Sequence, residues 1–211
     1  MPHYTKDDII QLPSLERMHL INSSGGIKSA NLIGTISDNG HTNLAVFNSV
    51  IHLGSNPPML SFMLRPTTVS RHTYNNLKNS DFTVNHIHTD FIDKAHQTSA
   101  KYEEEVSEFK EVGLTEEYLE YFKAPFVKES KIKMGCSYVN EYFIKEHQCR
   151  LIIGQIEHLL AEDDIIEKDG FLDLSKANSA GIIGLDGYVN TQLLDRYVYA
   201  RPNQELNSLK K

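Results

Sequence analysis

The stretch Met59-Leu60-Ser61-Phe62-Met63-Leu64-Arg65-Pro66-Thr67-Thr68-Val69-Ser70-Arg71-His72-Thr73-Tyr74 sets the plan of the chain. Its first six residues are an apolar run that reads as a buried strand. Pro66 can open a turn but cannot continue a central strand, because it has no N–H to give the ladder. Ser70 suits a helix cap, its hydroxyl accepting from a free amide of the first turn. The short helix that follows is expected to end near Lys78-Asn79. A strand, a hydroxyl-rich loop and a helix start together make an anion site, since unpaired backbone N–H groups face one point. Arg65, Arg71 and His72 add positive or titratable groups there, and Thr67, Thr68, Ser70 and Thr73 add hydroxyls. Arginine can grip phosphate through two N–H bonds at once. The loop is therefore read as phosphate-holding, against the plainer reading of a serine cap beside solvated arginines.

Outward from this stretch, short strands dominate. Ala30 to Ser37 reads as a strand, and Asp38-Asn39-Gly40 as a hairpin turn, because Asn and Gly tolerate positive φ. Asn43 to Phe47 returns, then Val50 to Leu53, a turn at Gly54 to Pro58, and Met59 to Leu64. Asp81 to Ile87 alternates as a half-buried strand. Ser130 to Ile144 and Cys149 to Leu159 are long strands joined by a polar link, Lys145 to Gln148. Strands at this spacing indicate a barrel or sandwich. Residues about 89–125 form a helical excursion: Phe91, Ile92, Ala95 and Ser99 share one face of a helix over Asp90 to Tyr102, and Thr115-Glu116-Glu117 opens another. Asp163 to Lys168 is a short acidic helix or turn. Met1 to Ser24 is mixed and polar, with Pro13 barring any long helix, and the polar tail from about 201 to 211 is expected to fray.

The 211 residues suit one domain with a sizeable core. A net charge of −7 argues against general nucleic-acid binding, which needs a basic face, and against attraction to an anionic membrane. No basic start precedes an apolar core at the N-terminus, so no secretion signal is expected, and no apolar run is long enough to span a bilayer. Cys136 and Cys149 are then expected to be reduced thiols in a cytoplasmic protein, close in space if their strands pair as a hairpin.

Several chemistries fit poorly. No Gly-x-Gly-x-x-Gly follows a strand, and Gly181, Gly184 and Gly187 read better as turns near a C-terminal barrel strand. His86, His88 and His96 offer metal ligands, but no further ligand stands at a standard spacing. Ser49 lacks the Gly-x-Ser-x-Gly elbow of a hydrolase. Two strand ends remain, Asn48-Ser49-Val50 and Arg65 to Thr73. Backbone N–H groups around Asn48 to Val50 suit the polar edge of a ring, and the loop suits a phosphate tail. Flavin mononucleotide (FMN) has that shape.

These residues also resemble the flavin reductase-like family with an FMN-binding split barrel. The pieces, in the family's order, are Ile33-Gly34-Thr35, Asn43 to Val50, Asn56-Pro57-Pro58-Met59-Leu60, Ser70-Arg71-His72-Thr73-Tyr74 and Phe82-Thr83-Val84-Asn85. Weaker similarity runs through Ala95 to Ser99, Lys128-Glu129-Ser130 and Gly154-Gln155-Ile156 to Leu185-Asp186-Gly187-Tyr188. The resemblance implies a mainly β Greek-key split barrel, a homodimer, and FMN at the subunit interface. It implies that Asn48, Ser49 and Val50 face the flavin ring, and that Thr67, Thr68, Ser70, Arg71, His72 and Thr73 face phosphate and ribityl. Asn85 is a further implied contact, and Arg65 is retained although many relatives carry another residue there. The acidic insertion from about Tyr102 to Glu120 is expected to cover the flavin of the partner chain.

The function expected is passage of electrons from NADH or NADPH to FMN and on to a small-molecule acceptor. Hydride transfer to a flavin needs no protein acid or base, so no catalytic residue is singled out. The alternatives are a non-enzymatic FMN-binding or redox-sensing module and, further off, a metal-dependent enzyme using the three histidines.

Overall fold

The computed structural model of the protein describes residues 1–77 and 80–209, so the expected helix end at Lys78-Asn79 lies outside the described residues. Its strands are β1 (Ile27–Ser29), β2 (Asn31–Ile36), β3 (Thr42–Phe47), β4 (Ile51–Ser55), β5 (Pro58–Leu64), β6 (Phe82–His86), β7 (Glu116–Glu117), β8 (Phe126–Val127), β9 (Ile132–Ile144), β10 (Cys149–Ala161), β11 (Ala180–Ile183) and β12 (Gly187–Asn190). Its α-helices are α1 (Lys6–Gln11), α2 (Ser14–Ser24), α3 (His72–Leu77), α4 (Ile92–Gln97) and α5 (Glu108–Val112).

Seven strands form one antiparallel sheet in the order β3-β2-β6-β9-β10-β5-β4. Its two edges, β3 and β4, are consecutive in the chain, joined by Asn48-Ser49-Val50. The sheet curls so that side chains from both halves meet: Ile33 of β2 and Phe82 and Val84 of β6 pack with Leu60, Phe62 and Leu64 of β5 and Ile152 of β10. Phe62 sits at the centre, edge-on to Phe47 and Phe82 at 5.2 and 5.6 Å between ring centroids. The fold is thus mainly β, a barrel left open along the β3–β4 seam.

Strand β2 is buried on both faces, and its side chains alternate between two cores. Ile33 enters the barrel, while Leu32 packs outward with Leu44, Phe91, Ala95, Phe109 and Ile182. That second core lies under α4, α5 and the small sheet β1-β11-β12. Between Ile33 and Thr35 only glycine fits. A Cβ on Gly34 would stand 2.3 Å from the Pro125 carbonyl oxygen and 2.5 Å from Thr83 Oγ1.

The crossover from β5 to β6 carries the Arg65–Thr73 loop and α3. It passes over β9 and β10, which separate the two strands in the sheet. Tyr74 and Leu77 of α3 are buried in the barrel core, so the helix closes one end and fixes the loop before it.

Several expectations change. Glu116-Glu117 form β7 against β8, not a helix. Their carboxylates are held by distant partners: Glu116 Oε1 accepts from Thr42 Oγ1 at 2.7 Å, and Glu117 pairs with Lys133. The helix of this region lies upstream, at α5, closed by Gly113 in the left-handed conformation. The helix expected over Asp90 to Tyr102 is a 3-10 turn, Thr89–Phe91, followed by α4, which ends at Gln97. Gly181 lies within β11, and β11 and β12 belong to the small sheet and not to the barrel. The mixed N-terminal stretch holds two helices flanking Pro13, with Arg17 Nη1 donating to the carbonyls of Ile10 and Leu12 at 2.9 and 2.8 Å. The tail folds back on itself, Val198 N to Asn207 O and Leu209 N to Arg196 O, where fraying was expected.

Cys136 stands opposite Ile156 and Cys149 opposite Ile144 in the β9–β10 ladder. The hairpin expected from sequence forms, yet the register separates the thiols by roughly 23 Å at ~3.3 Å per residue, and both are free. Burial pushes the Cys136 thiol up, so it stays protonated.

Candidate functional site

A cavity of about 800 Å³ opens beside the barrel seam, between the seam turn, the crossover loop, the segment after α4 and the β11–β12 turn. One wall is apolar, with Ala45, Val46, Phe47, Met63 and Leu64. The other end carries Arg65, Arg71 and His72.

Of the residues singled out from sequence, Asn48, Ser49, Arg65, Ser70, Arg71, His72 and Thr73 line this one cavity. Two segments that end different strands are thereby brought together. Val50, Thr67 and Thr68 belong to the same turn and loop but are not part of the lining. Val50 packs against the barrel core. Asn85 stands apart: it is fully buried, donates to Leu32 O and Thr83 Oγ1, and accepts from Val127 N at 2.9 Å. Its amide joins β6 to β2 and β8.

The seam turn is locked by its own side chains. Ser49 Oγ donates to Met63 O and accepts from Met63 N, both at 3.1 Å, which ties the turn to β5. Asn48 Nδ2 donates to Gly184 O at 2.8 Å, which ties it to the β11–β12 turn. These side chains hold the turn in place, leaving its backbone as the surface a ligand would meet.

At the crossover loop the helix begins one residue later than expected. The first helical bond runs from Asn75 N to Arg71 O, so Arg71 occupies the cap position, and Ser70 Oγ accepts instead from the Asn75 side chain at 3.2 Å. With six residues, α3 has a weak dipole. The pull on an anion must come mainly from the guanidinium groups. Thr73 is buried, and its Oγ1 accepts from Asn43 Nδ2 at 3.1 Å. Thr73 also lines the cavity.

Sequence reasoning missed Asn43, His96, Glu108, the segment Thr98 to Glu103 and the turn residues Leu185 and Asp186, all of which line the cavity. Glu108 is buried at the cavity wall, and its Oε2 accepts from Leu44 N of the edge strand β3 at 2.9 Å. Burial raises its carboxyl above the ordinary range, opposed by that amide bond and by the nearby His72. The acidic insertion, expected to cover the flavin of a partner chain, also supplies Tyr102, Glu103 and Glu108 to the cavity of its own chain. The signals for these residues were faint, because each lies far in sequence from the loop it faces.

The three histidines go separate ways. His86 Nδ1 lies 3.4 Å from Ser179 Oγ, and desolvation pulls its imidazole down to about 4. His88 Nδ1 accepts from Asp90 N at 3.1 Å, and His96 Nδ1 lies 3.2 Å from the Tyr188 hydroxyl. Among the described residues no three His, Cys, Asp or Glu side chains gather in a metal-holding arrangement, and no helix is long and apolar enough to cross a membrane.

Known proteins share this fold. A provisionally assigned flavin reductase with a split barrel domain from Shewanella frigidimarina NCIMB 400 superposes with a TM-score of 0.91 at 42% identity, over 95% of this chain and all of that one. Two more distant crystal structures share the fold. Nitrilotriacetate monooxygenase component B from Bacillus cereus does so at TM-score 0.79 and 18% identity, over 92% of this chain and 96% of that one. An FMN-binding protein from Thermus thermophilus with bound 1-cyclohex-2-enone does so at 0.69 and 15%, over 90% and 96%. The model of the flavin reductase like domain matches residues 25–174, which include both walls of the seam and the whole crossover loop, and the chain belongs to that family.

Proposed function

We propose that the protein binds FMN in the seam cavity and passes electrons from NADH or NADPH through it to a small-molecule acceptor. The observation that carries this is the joining, in one cavity of about 800 Å³, of an apolar wall and a cation-bearing loop. That volume falls in the ordinary range for cofactor sites, about 300–1,000 Å³, and the chemistry of the lining fits the two ends of FMN.

Arg71, with Arg65 and His72 nearby, would hold the phosphate. Ser70 and the Thr73 hydroxyl would reach phosphate or ribityl. The backbone of Asn48 to Val50 would meet the polar edge of the ring, while Val46, Phe47 and Met63 exclude water from its apolar part. FMN, when bound, supplies the acceptance and release of an electron pair. The chain's own residues bind and orient, and shield the ring from solvent. Thr67 and Thr68 support the loop and would approach the phosphate only through it, and Asn85 would act by bracing β6.

The fold and the resemblance support a homodimer, with the second copy closing the open side of the cavity. The two unpaired thiols agree with a reducing, cytoplasmic setting.

The test is simple. Protein purified with FMN should be yellow, and NADH or NADPH added without oxygen should bleach it. Protein that takes up no FMN sinks the proposal. Yellow protein that neither nucleotide bleaches leaves a binding module and removes the reductase.

A further inference from the structure

His96, in the last turn of α4, lines the cavity. Its Nδ1 lies 3.2 Å from the hydroxyl of Tyr188 on β12, and the two rings meet edge to face with centroids 5.7 Å apart. Two elements about ninety residues apart in sequence thus fix one imidazole. With Nδ1 engaged, Nε2 is the nitrogen left for a ligand, whichever tautomer is present. Burial, with Asp186 adding to it, pushes the Tyr188 phenol up to about 12, so it remains an uncharged partner near neutrality.

Reduction of a flavin by hydride needs no protein acid, whereas reduction of a conjugated carbonyl is accelerated by one placed at its oxygen. We infer that His96 is the acid of that second half-reaction, giving its Nε2 proton to the oxygen of a conjugated carbonyl acceptor, with Tyr188 as its positioning residue. The inference rests on the flavin reading above and names the acceptor class for the same site. FMN, when bound and reduced, would supply the hydride that ends as a C–H bond at the β-carbon of the acceptor. The alkene pair shifts to join the α-carbon to the carbonyl carbon as a new double bond, and the carbonyl pair takes the Nε2 proton. The acceptor gains two electrons and becomes an enol, and the flavin loses the same two. His96 gives up its Nε2 proton in the step and regains one from water. Tyr188 neither gains nor loses one.

The experiment uses the full chain loaded with FMN and reduced by light, so that no nicotinamide is involved. Reoxidation is followed by flavin absorbance after mixing with 2-cyclohexen-1-one, or with ferricyanide, which takes electrons one at a time and accepts no proton. His96→Ala and His96→Gln should slow the enone reaction by about 100-fold or more, the usual span of a lost general acid, and added imidazole should restore part of the His96→Ala rate. At saturating FMN, both variants should lose much less of their rate with ferricyanide than with the enone. Tyr188→Phe should slow only the enone reaction, by a smaller factor. In the flavin-free protein it should shift the ¹⁵N resonance of His96 Nδ1 more than that of Nε2. Equal losses toward both acceptors, no loss toward either, or a wild-type protein that cannot reduce the enone overturns the role of His96 while the flavin reading stands. Wild-type protein that takes up no FMN overturns both.

Discussion

Arg71 shows how exposure sets the size of an effect. Its side chain lines the cavity but is open to solvent, so water screens part of its pull on a phosphate. Arg71→Ala should weaken FMN binding by about 1.5–3 kcal/mol, and the screening favours the lower end. Riboflavin, which lacks the phosphate, should bind almost unchanged. Titration by flavin fluorescence separates the two, and equal losses would make Arg71 a structural residue only. Gly34 is the opposite case, a residue with no freedom at all. The methyl of Gly34→Ala would meet the backbone oxygen of Pro125, which already accepts a buried bond from Thr83 Oγ1 at 2.6 Å. Backbone in a packed core yields little, so overpacking should cost roughly 1–3 kcal/mol or more, read as a lower urea midpoint with an unchanged slope. At this scale the sequence was informative about residue type and poor about partners. The chain order around Asn48 and Arg71 marked a ring turn and an anion loop. That Asn85 bonds to Leu32 and Val127, and that Asn43 bonds to Thr73, depends on segments 30 or more residues away.

Element boundaries followed the same division. Strands announced by alternation or by continuous apolar runs formed where expected, because burial on one or both sheet faces is a local pattern. Glu116 and Glu117 failed because acidic residues after a threonine look like a helix start, while Thr42 and Lys133, supplied by β3 and β9, give their carboxylates better partners. α5 makes a related use of charge. Glu108 covers the open edge of the sheet by taking the amide of Leu44, which would otherwise lack a strand partner. Its carboxyl is raised in the folded protein, so the folded state holds the proton more tightly than the unfolded chain. The stabilising contribution is then full below the ordinary carboxylate range and is lost as pH rises through the folded-state value. Glu108→Gln keeps an oxygen for the Leu44 amide and removes the titration. The wild type should therefore lose stability relative to the variant as pH rises from about 4, and a difference independent of pH in paired urea unfolding curves would show that Glu108 does not titrate in this way. The insertion also cannot be removed wholesale, since Phe109, Val112 and Leu114 belong to the outer core. Only the exposed turn at Glu103–Glu105 can be shortened to test its effect on acceptor preference.

The whole molecule leaves apolar surface that a lone chain does not explain. Neither α1 nor α2 buries a single residue, and Ile10, Leu15, Met18 and Ile21 face solvent. Helices of 6 and 11 residues are marginal in water without a packing surface. The other barrel edge, β4, is open and carries Ile51 and Leu53, 55% and 46% exposed, with no lysine to blunt it. An apolar open edge is a template for pairing, and it adjoins the seam turn that forms one wall of the cavity. A second copy against this side would cover the edge and close the site in one act. Composition hid this, because a net charge of −7 describes the surface as a whole and not the patch. The expected solution mass is twice the 24.0 kDa of one chain. Leu53→Lys, which places a charge on the open edge, should shift the protein toward monomer in sedimentation equilibrium. It should also weaken FMN binding, although residue 53 does not line the cavity. Wild-type protein that sediments as a single chain while binding FMN at full strength would remove the second copy from the site, and the cavity of one chain would then have to suffice.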